Sequence, residues 1–317
     1  MLYIDWQPSM EAIKIGSFSI LWYSLCWVIG LIGGYFIVRK LYADQRIDPE
    51  LKNGRLVASH RFDPLFLYCF IGVVLGARIG HCVFYEPDYY LTSWKGIVEM
   101  LLPVRIDNAG GWHMEGYRGL ASHGGAIGLF IALMLYKWRK QMPAFIILDN
   151  LGIAAPFCAA CIRIGNLMNS EIIGTQTDVP WAFIFHTHES MVNGQTVPRH
   201  PSQLYEAIAY IIIFIIILLI YRKSRKAYLG KENQLYQVRE RISVGSGFYF
   251  GLCIAAIFTF RFCIEFLKKE QGGIDDGSLP IDMGQILSIP FVITGVWAMT
   301  RKNYLSEKRK VNSVKLE

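Results

Sequence analysis

Long apolar segments recur along this chain and restrict its fold more than any other feature. Seven of them approach the roughly 20 residues that an α-helix needs to cross a bilayer. They lie at about 18–38, 64–84, 122–136, 144–162, 205–221, 246–262 and 283–300. A soluble α/β protein is the alternative, but its apolar runs would be strand-length or helix-periodic. The sequence therefore predicts an all-α polytopic membrane protein with about seven transmembrane helices.

The charged residues support this assignment and give it an orientation. Only 18% of residues are charged, whereas soluble domains carry about 25%. The net charge of +7 occurs in nucleic-acid binders too, but here the basic residues lie in blocks beside the apolar segments. These blocks hold six, three, seven and six of the 32 Lys and Arg residues, at 39–62, 137–143, 222–243 and 301–317. Because positive loops stay in the cytoplasm, we expect the N-terminus outside, the C-terminus inside and an odd number of spans.

The polar segments between the spans suggest how the rest of the chain is arranged. We expect one membrane domain over residues 1–317, because repeats, low-complexity tracts and Ser/Gly linkers are absent from the sequence. Two longer outer segments would form a small head, at 85–121 and 163–204. On the opposite side we expect a cytoplasmic loop at 222–243 and a cytoplasmic tail at 301–317.

The segment before the first span, MLYIDWQPSMEAIKIG, carries large apolar residues between polar ones. It lacks the basic region and the small-residue cleavage site of a removable signal peptide. Leu2, Ile4 and Trp6 suggest instead an amphipathic segment that lies in the outer membrane interface. The first span would then act as its own insertion signal.

The cysteines and histidines do not indicate a metal or redox site. Cys158 and Cys161 have the CxxC spacing of redox motifs, but they lie in an apolar helix without a βαβ context. Packing of small apolar side chains explains them better. The histidines lack i, i+4 pairing, and His186 and His188 lie in a polar loop without nearby cysteines. We therefore expect no metal and no cofactor.

The stretch ASHGGAIG, at 121–128, has features of an anion site at a helix start. Ser122 can cap the helix, and Gly124 and Gly125 leave backbone N–H groups uncovered in its first turn. The positive end of the helix dipole favours a phosphate there. His123 lies at the edge of this site and can accept a proton near neutral pH. The alternative for His123 is a hydrogen-bonding role at the membrane interface.

The stretch RIGNLMNSEIIG, at 163–174, places polar residues directly after an apolar run: Arg163, Asn166, Asn169 and Glu171. At 100° per residue these four fall at about 0°, 300°, 240° and 80° around a helix. One regular helix cannot aim them all at one ligand, so we expect the chain to leave the helix near Gly165 and to turn again at Gly174. Arg163 suits a phosphate, and the amides suit hydroxyls or ester carbonyls.

The stretch RFCIEFLK, at 261–268, offers a second phosphate-binding arginine. Arg261, Glu265 and Lys268 are spaced i, i+4 and i+7, so they share one face of a helix. We expect Glu265 to hold Arg261 in place. A simple intrahelical ion pair would explain the same spacing.

The stretch RHPSQLYE, at 199–206, precedes the fifth span and has the form of a helix start. Ser202 would be the N-cap, with Tyr205 and Glu206 in the first turn. That assignment leaves the high content of donors and acceptors unexplained, so His200, Gln203 and Tyr205 are secondary site candidates.

Two arginines, a histidine and several amides at the depth of one leaflet predict a phospholipid headgroup site. A transporter or lipid flippase is one alternative. It would show internal repeats or charges near the middle of several spans, whereas here the charges lie at one end. A lipid-binding structural protein is another alternative, although it has no need for a histidine beside a phosphate site.

Five motifs, in this order and spacing, resemble those of the prolipoprotein diacylglyceryl transferase family: SHGGAIG, RIGNLMNSEIIG, RHPSQLYE, RFCIEF and DMGQILSIP. The resemblance extends from WYSL at 22–25 to the last span. It implies a seven-span inner-membrane protein with a periplasmic head and active site. The implied reaction transfers the diacylglyceryl group of phosphatidylglycerol to the lipobox cysteine thiol of a prolipoprotein signal peptide and releases glycerol 1-phosphate. Membrane lipid and this peptide are the implied partners, with no nucleic acid.

The resemblance also implies site residues, motif by motif. Those that would bind phosphatidylglycerol or act on it are Tyr23, His123, Asp149, Arg163, Asn166, Glu171, Gly174, Arg261 and Glu265. Asn169 joins the lipid-binding set because it lies within the second motif. Arg163 and Arg261 would clamp the phosphate and stabilise the charge on the departing group. His123 would be the base for the thiol, with His200 in reserve.

Four positions depart from the family pattern. Ile162 and Leu167 replace a glycine and a phenylalanine of the second motif, which changes packing more than chemistry. Ile257 stands where a tyrosine is often found four residues before the second arginine. Lys268 replaces an arginine, so it keeps the charge and loses the bidentate fork.

Overall fold

The computed structural model of the chain describes residues 3–15, 18–45, 54–102, 104–107, 111–114, 121–140, 142–229, 242–268 and 282–301. Its residues form two compact units. The first comprises residues 1–38 and 144–317, and the second comprises residues 39–143. The predicted loop at 222–243 falls partly on the end of a helix and partly outside the described residues. The predicted tail at 301–317 lies outside them except for Arg301.

Each predicted span coincides with a long helix: α1 (Trp22–Asp44), α3 (Asp63–Phe84), α6 (Ser122–Lys140), α7 (Ala144–Met168), α8 (Ser202–Leu229), α9 (Phe248–Glu265) and α10 (Met283–Thr300). Three short helices lie between them: α2 (Gly54–Arg61), α4 (Pro87–Tyr90) and α5 (Trp94–Leu101). Among the described residues, six helices are long and apolar enough to cross a membrane. The seventh, α6, has 19 residues and three basic residues in its last turn. The prediction of a helical polytopic membrane protein is confirmed.

The second unit is built on close contact between α3 and α6. Gly76 and Gly80 of α3 lie against Gly124 of α6, so closely that a Cβ on Gly124 would overlap the carbonyl oxygen of Gly76. Small residues let helix backbones approach in this way, where larger side chains would hold them apart. Beside this pair, buried Arg78 of α3 donates to the Tyr90 hydroxyl at 3.2 Å and to the Glu99 carbonyl at 2.9 Å, which ties α4 and α5 to α3.

In the first unit, α7 packs against α8 and α9, and α10 packs against α9. Two strands between α7 and α8, β6 (Phe183–Phe185) and β9 (Pro198–Arg199), form a small sheet with β1 (Ile4–Trp6) from the start of the chain. β6 is the central strand. Leu167 lies in an apolar cluster with Ile173 and both Phe residues of β6. This position fits the expectation that its departure from the family pattern concerns packing.

Short antiparallel strand pairs complete the described structure: β2 (Glu11–Ile15) with β3 (Phe18–Leu21), β4 (Val104–Ile106) with β5 (Trp112–Met114), and β7 (Met191–Val192) with β8 (Gln195–Thr196). The first pair occupies the predicted start of the first span, so α1 begins at Trp22 rather than at residue 18. An antiparallel pair satisfies its backbone groups locally before the helix begins.

The described part of the N-terminal segment includes a short strand, and its expected position at the outer membrane interface stays a prediction. Ile4 and Trp6 lie in β1, which pairs in parallel with β6, and Leu2 lies outside the described residues. The Trp6 indole N–H donates to the Leu167 carbonyl at 3.0 Å, and its ring lies 5.2 Å from that of Phe183. Trp6 therefore anchors the sheet to the end of α7.

Cys158 and Cys161 are helix-packing residues in the structure. The Cys158 thiol donates to the Gly30 carbonyl of α1 at 3.2 Å. A Cβ on Gly30 would stand 3.2 Å from the Cβ of Cys161, so both cysteines face α1. This contact agrees with the packing interpretation of the CxxC spacing.

Candidate active site

Arg163 lies near the end of α7 and is held by two side chains. Its Nε lies 3.0 Å from Oε2 of Glu206, and its Nη1 donates to Oδ1 of Asn166 at 3.2 Å. Only 13% of the side chain is exposed. Within the described parts of the chain, Nη2 makes no hydrogen bond. The guanidinium is therefore fixed at one edge and retains donors for an anion at the other.

Glu171 follows a tight reversal of the chain after α7 and contacts Asn166, which in turn accepts a hydrogen bond from Arg163. Asn166 donates to its carboxylate at 2.7 Å, and the flanking Ser170 and Ile172 adopt positive φ angles of 53° and 60°. The prediction that the helix ends near Gly165 is wrong, because α7 continues to Met168. The polar side chains converge because Ser170 and Ile172, with their positive φ angles, reverse the chain after the helix ends.

Gly174 follows this reversal, where three segments meet. Its N–H donates to the carbonyl of His200 at 3.0 Å, and it forms an isolated β-bridge with Lys268. A Cβ here would stand 2.6 Å from the Cβ of His200 and 2.8 Å from the carbonyl of Leu267. Gly174 is required for this close approach, while its φ is not positive.

Glu206 is the centre of the cluster, and the sequence analysis did not include it among the site residues. Its carboxylate contacts Arg163, Lys268 Nζ at 3.3 Å and the Tyr210 hydroxyl at 3.1 Å. The side chain is fully buried. A buried carboxylate is costly without such partners. The missed signal was an acidic residue one turn inside an apolar helix, where ionisable residues are rare and functional.

Glu265 pairs with Lys268 rather than with Arg261. The Lys268 Nζ lies 3.3 Å from Glu265 Oε2, and it reaches back from beyond the end of α9. The expected pair of Arg261 and Glu265 is not found among the described contacts. The Glu265 carboxylate also lies against Gly284 at the start of α10. A carboxylate is favourable there because the helix dipole is positive at its N-terminus.

Arg261 is half-buried and makes no hydrogen bond or ion pair within the described residues. It interacts electrostatically with Tyr210, as does Arg163. Tyr210 is thus within electrostatic range of both predicted phosphate-binding arginines. Of these two, Arg261 is the more open to a ligand.

The secondary candidates surround the same reversal of the chain. The Ser202 hydroxyl donates to the Ile172 carbonyl, and the Gln203 amide donates to the Glu171 carbonyl, both at 2.6 Å. His200 Nδ1 lies 3.1 Å from the Tyr205 hydroxyl. Burial lowers the pKa of His200 below its usual 6.5, so its imidazole is neutral at pH 7. A neutral imidazole is the form that accepts a proton.

Tyr23 and Asn169 border the cluster without a side-chain hydrogen bond within the described structure. A Cβ on Gly165 of α7 would stand 3.0 Å from the Tyr23 ring, so α1 and α7 are in close contact here. Asn169 is half-buried just after α7, and its backbone N–H donates to the Gly165 carbonyl at 3.1 Å. Both side chains remain available to a ligand.

Asp149 does not belong to this cluster. It lies 14 residues before Arg163 on α7, which corresponds to about 21 Å along the helix. Its carboxylate accepts backbone N–H groups of Gly245, Gly247 and Phe250 at 2.7, 2.9 and 2.9 Å. Its oxygens cap the start of α9, and the prediction that Asp149 also binds phosphatidylglycerol stays a prediction.

His123 belongs to the second unit, in the first turn of α6, and is exposed. The side chain of Ser122 lies outside the described structure, although α6 begins at this residue as predicted. The expectation of uncovered N–H groups is wrong for Gly125, whose N–H donates to the Ala121 carbonyl at 3.0 Å. Gly124 serves the contact with α3.

The first-unit cluster holds as many cations as carboxylates. Arg163, Arg261 and Lys268 face Glu171, Glu206 and Glu265, so the formal charges cancel. The carboxylates fix Arg163 and Lys268, and the remaining donors are those of Arg163 Nη2 and Arg261. Such an arrangement can bind one phosphate group and stabilise additional negative charge on it. Within the described residues, no group of His, Cys, Asp and Glu side chains has the form of a metal site.

Comparison with known proteins identifies the family of this chain. Residues 10–301 match the family described as prolipoprotein diacylglyceryl transferase. Relatives named phosphatidylglycerol–prolipoprotein diacylglyceryl transferase occur in Bacteroides fragilis, Chloroherpeton thalassium and Tolumonas auensis, with 44%, 36% and 35% identity. The alignments cover 94%, 93% and 96% of this chain and 95%, 92% and 98% of those proteins. This multi-pass membrane protein therefore belongs to the prolipoprotein diacylglyceryl transferase family.

Proposed function

We propose that this protein transfers the diacylglyceryl group of phosphatidylglycerol to the cysteine thiol of a prolipoprotein lipobox, the first step of lipoprotein lipidation. The observation that carries the proposal is the cluster at the end of α7. There a mostly buried Arg163 is held by Glu206 and Asn166, and Arg261 makes no hydrogen bond or ion pair among the described residues. Relatives that cover nearly the whole chain carry this activity in their names. The enzyme is a transferase that needs no cofactor.

In this mechanism the two arginines hold the phosphate of the donor lipid. The thiolate attacks the diacylglycerol carbon that carries the phosphate. The C–O bond breaks as the C–S bond forms, and the electron pair leaves on a phosphate oxygen. The product, glycerol 1-phosphate, carries more negative charge than the diester. Arg163 and Arg261 therefore bind the departing group more strongly than the substrate, which lowers the barrier.

The thiol must lose its proton before or during the attack, because its ordinary pKa is about 8.5. His123 is the first choice of base, since it is the exposed histidine of the SHGG motif in the first turn of α6. His200 is the second choice. Its neutral imidazole lies next to the reversal of the chain that carries Glu171, and its Nδ1 contacts Tyr205. Asn166, Asn169, Glu171, Gly174, Tyr23 and Glu265 complete the proposed binding site for phosphatidylglycerol.

We further propose an inner-membrane location with the N-terminus in the periplasm and the C-terminus in the cytoplasm. The four basic blocks in the sequence support this orientation. The sheet of β1, β6 and β9, with residues 163–204, would form the periplasmic head of one membrane domain, together with residues 85–121. The active site would then face the periplasm, where the lipobox of an exported prolipoprotein becomes accessible.

The test uses purified protein with labelled phosphatidylglycerol and a lipobox peptide, assayed for label on the cysteine and for released glycerol 1-phosphate. A lipobox peptide with Ser in place of its cysteine is the control. We expect transfer to the cysteine peptide alone. Lipid binding without transfer would contradict the proposal and favour a lipid-binding protein. Movement of labelled lipid between leaflets of a vesicle, again without transfer, would favour a flippase.

A further inference from the structure

The phenol of Tyr210 is a buried polar group that the mechanism above leaves unused. Tyr210 lies on α8, one helical turn after Glu206, and is only 3% exposed. Its hydroxyl donates to Oε1 of Glu206 at 3.1 Å. Its ring lies 6.4 Å from that of Phe260 on α9, in an edge-on arrangement. Tyr210 is therefore held by packing on α9 while its hydroxyl is directed at the centre of the site.

Tyr210 also lies within electrostatic range of both arginines. It interacts electrostatically with Arg163 from α7 and with Arg261 from α9. Ile257, one turn before Arg261 on α9, is apolar, so the phenol near these arginines comes from α8 instead. A single hydroxyl thus lies where three helices contribute charged groups.

The contacts of Glu206 explain what this hydroxyl does. On Oε1 the carboxylate has two partners from different elements, the Tyr210 hydroxyl and Lys268 Nζ. On Oε2 it has Arg163 Nε at 3.0 Å. Two partners on one oxygen restrict rotation of the carboxylate, and this restriction keeps the other oxygen in its ion pair with the guanidinium. Since Arg163 is fixed through its Nε edge, the position of Nη2 depends on the orientation of Glu206.

We propose that Tyr210 is a positioning residue for the transfer reaction, which orients the Arg163 guanidinium through its hydrogen bond to the Glu206 carboxylate. This inference rests on the proposed function. It gives α8 a role in the reaction, the orientation of Arg163, in addition to phosphate binding by the two arginines. Tyr210 itself need not touch the lipid.

The test compares Tyr210→Phe with Tyr249→Phe as a matched control. Tyr210→Phe removes one oxygen atom and keeps the ring on Phe260. Tyr249 is another fully buried tyrosine, whose hydroxyl contacts Ser224 at 2.7 Å. Among the described residues it has no hydrogen bond to the cluster. We expect Tyr210→Phe to lower kcat about tenfold to a hundredfold, as for loss of a hydrogen bond to a charged group. The KM for phosphatidylglycerol should change less than about threefold, and Tyr249→Phe should leave both within about twofold.

Infrared spectroscopy supplies a readout that a loss of packing alone would not produce. The carboxylate band of Glu206, identified by its disappearance in Glu206→Gln, should shift in Tyr210→Phe and stay in place in Tyr249→Phe. An unshifted band, or a kcat of Tyr210→Phe within twofold of the wild type, overturns the inference. Equal losses in the two Phe variants overturn it as well.

The two proposals fail in different ways. If the wild-type protein does not transfer the diacylglyceryl group at all, the proposed function is contradicted, and the infrared band still decides whether Tyr210 orients Glu206. If the wild type is active and Tyr210→Phe is equally active, the function stands and the role of Tyr210 is wrong.

Discussion

The two ends of α7 carry buried charges that are satisfied in opposite ways. At the start of the helix, the Asp149 carboxylate accepts three backbone N–H groups from the start of α9. At the other end, Arg163 is fixed by Glu206 and Asn166 while its Nη2 makes no hydrogen bond within the described structure. Both residues are rare in an apolar helix, and the family resemblance implies a site role for both. The Asp149 oxygens are occupied by backbone N–H groups, whereas Arg163 keeps a donor nitrogen for a ligand.

This difference teaches how to separate structural from functional charges in a membrane helix. An ionisable residue at membrane depth is a functional candidate by default. A complete set of partners changes that expectation, because a saturated carboxylate already has its stabilisation and would lose it on binding a substrate. A charge that is immobilised and incompletely paired is prepared for a ligand. By this criterion we expect Arg163 and Arg261 to take part in the reaction and Asp149 to stabilise the fold.

The largest effect is expected for Arg163→Ala. Loss of the guanidinium removes a phosphate donor and leaves the Glu206 carboxylate with fewer partners. Transfer should fall about a thousandfold, since a single preorganised donor of this kind contributes about 10²–10³. The measurement is label on the lipobox peptide per mole of folded protein. Membrane insertion should be unchanged, and normal turnover would refute the role of Arg163.

His123→Gln tests whether the transfer reaction needs a base from the second unit in addition to the charged cluster at the end of α7. A general base typically contributes about 10²–10⁴, so the rate at pH 7 should fall at least about a hundredfold. The loss should shrink as pH rises through about 8.5, where the thiol ionises without help. The measurement is the transfer rate against pH for the wild type and the variant. A rate equal to the wild type at pH 7 would move the base to His200, and His200→Gln is the matched variant.

Asp149→Asn should affect stability and leave the chemistry intact. The amide keeps one acceptor oxygen and loses the charge, so bonds to the start of α9 weaken. The free energy of unfolding should fall by about 2–4 kcal/mol, because each hydrogen bond to a charged group contributes about 1.5–3 kcal/mol. Thermal unfolding in detergent measures the change. The kcat of the protein that remains folded should stay within about threefold of the wild type, and a direct role in lipid binding would show as a raised KM instead.

The sequence predicts the spans of this protein well and its charged cluster only in part. Apolar length is a local property, so all seven helices follow from runs of about 20 residues. The strand Ile4–Trp6 has no local signal, because its partner lies at residues 183–185. The sequence does not identify Glu206 as a site residue, because the pattern of a helix start accounts for it and for the residues before it. Glu265 was paired with Arg261 by helical spacing, although α9 ends at this residue and Lys268 turns back to meet it.

Lys268→Arg is expected to have the smallest effect of the four variants. It tests how the cluster at the Arg163 end of α7 is held together. Lys268 places one cation between Glu206 and Glu265, at 3.3 Å from each. A guanidinium keeps this charge, and its fork can contact both carboxylates. The pocket is tight, since only 5% of the Lys268 side chain is exposed. We therefore expect kcat within about threefold of the wild type and a slightly lower melting temperature. A tenfold loss would mean that the position of this cation, and not only its charge, sets the orientation of Glu206 and hence of Arg163.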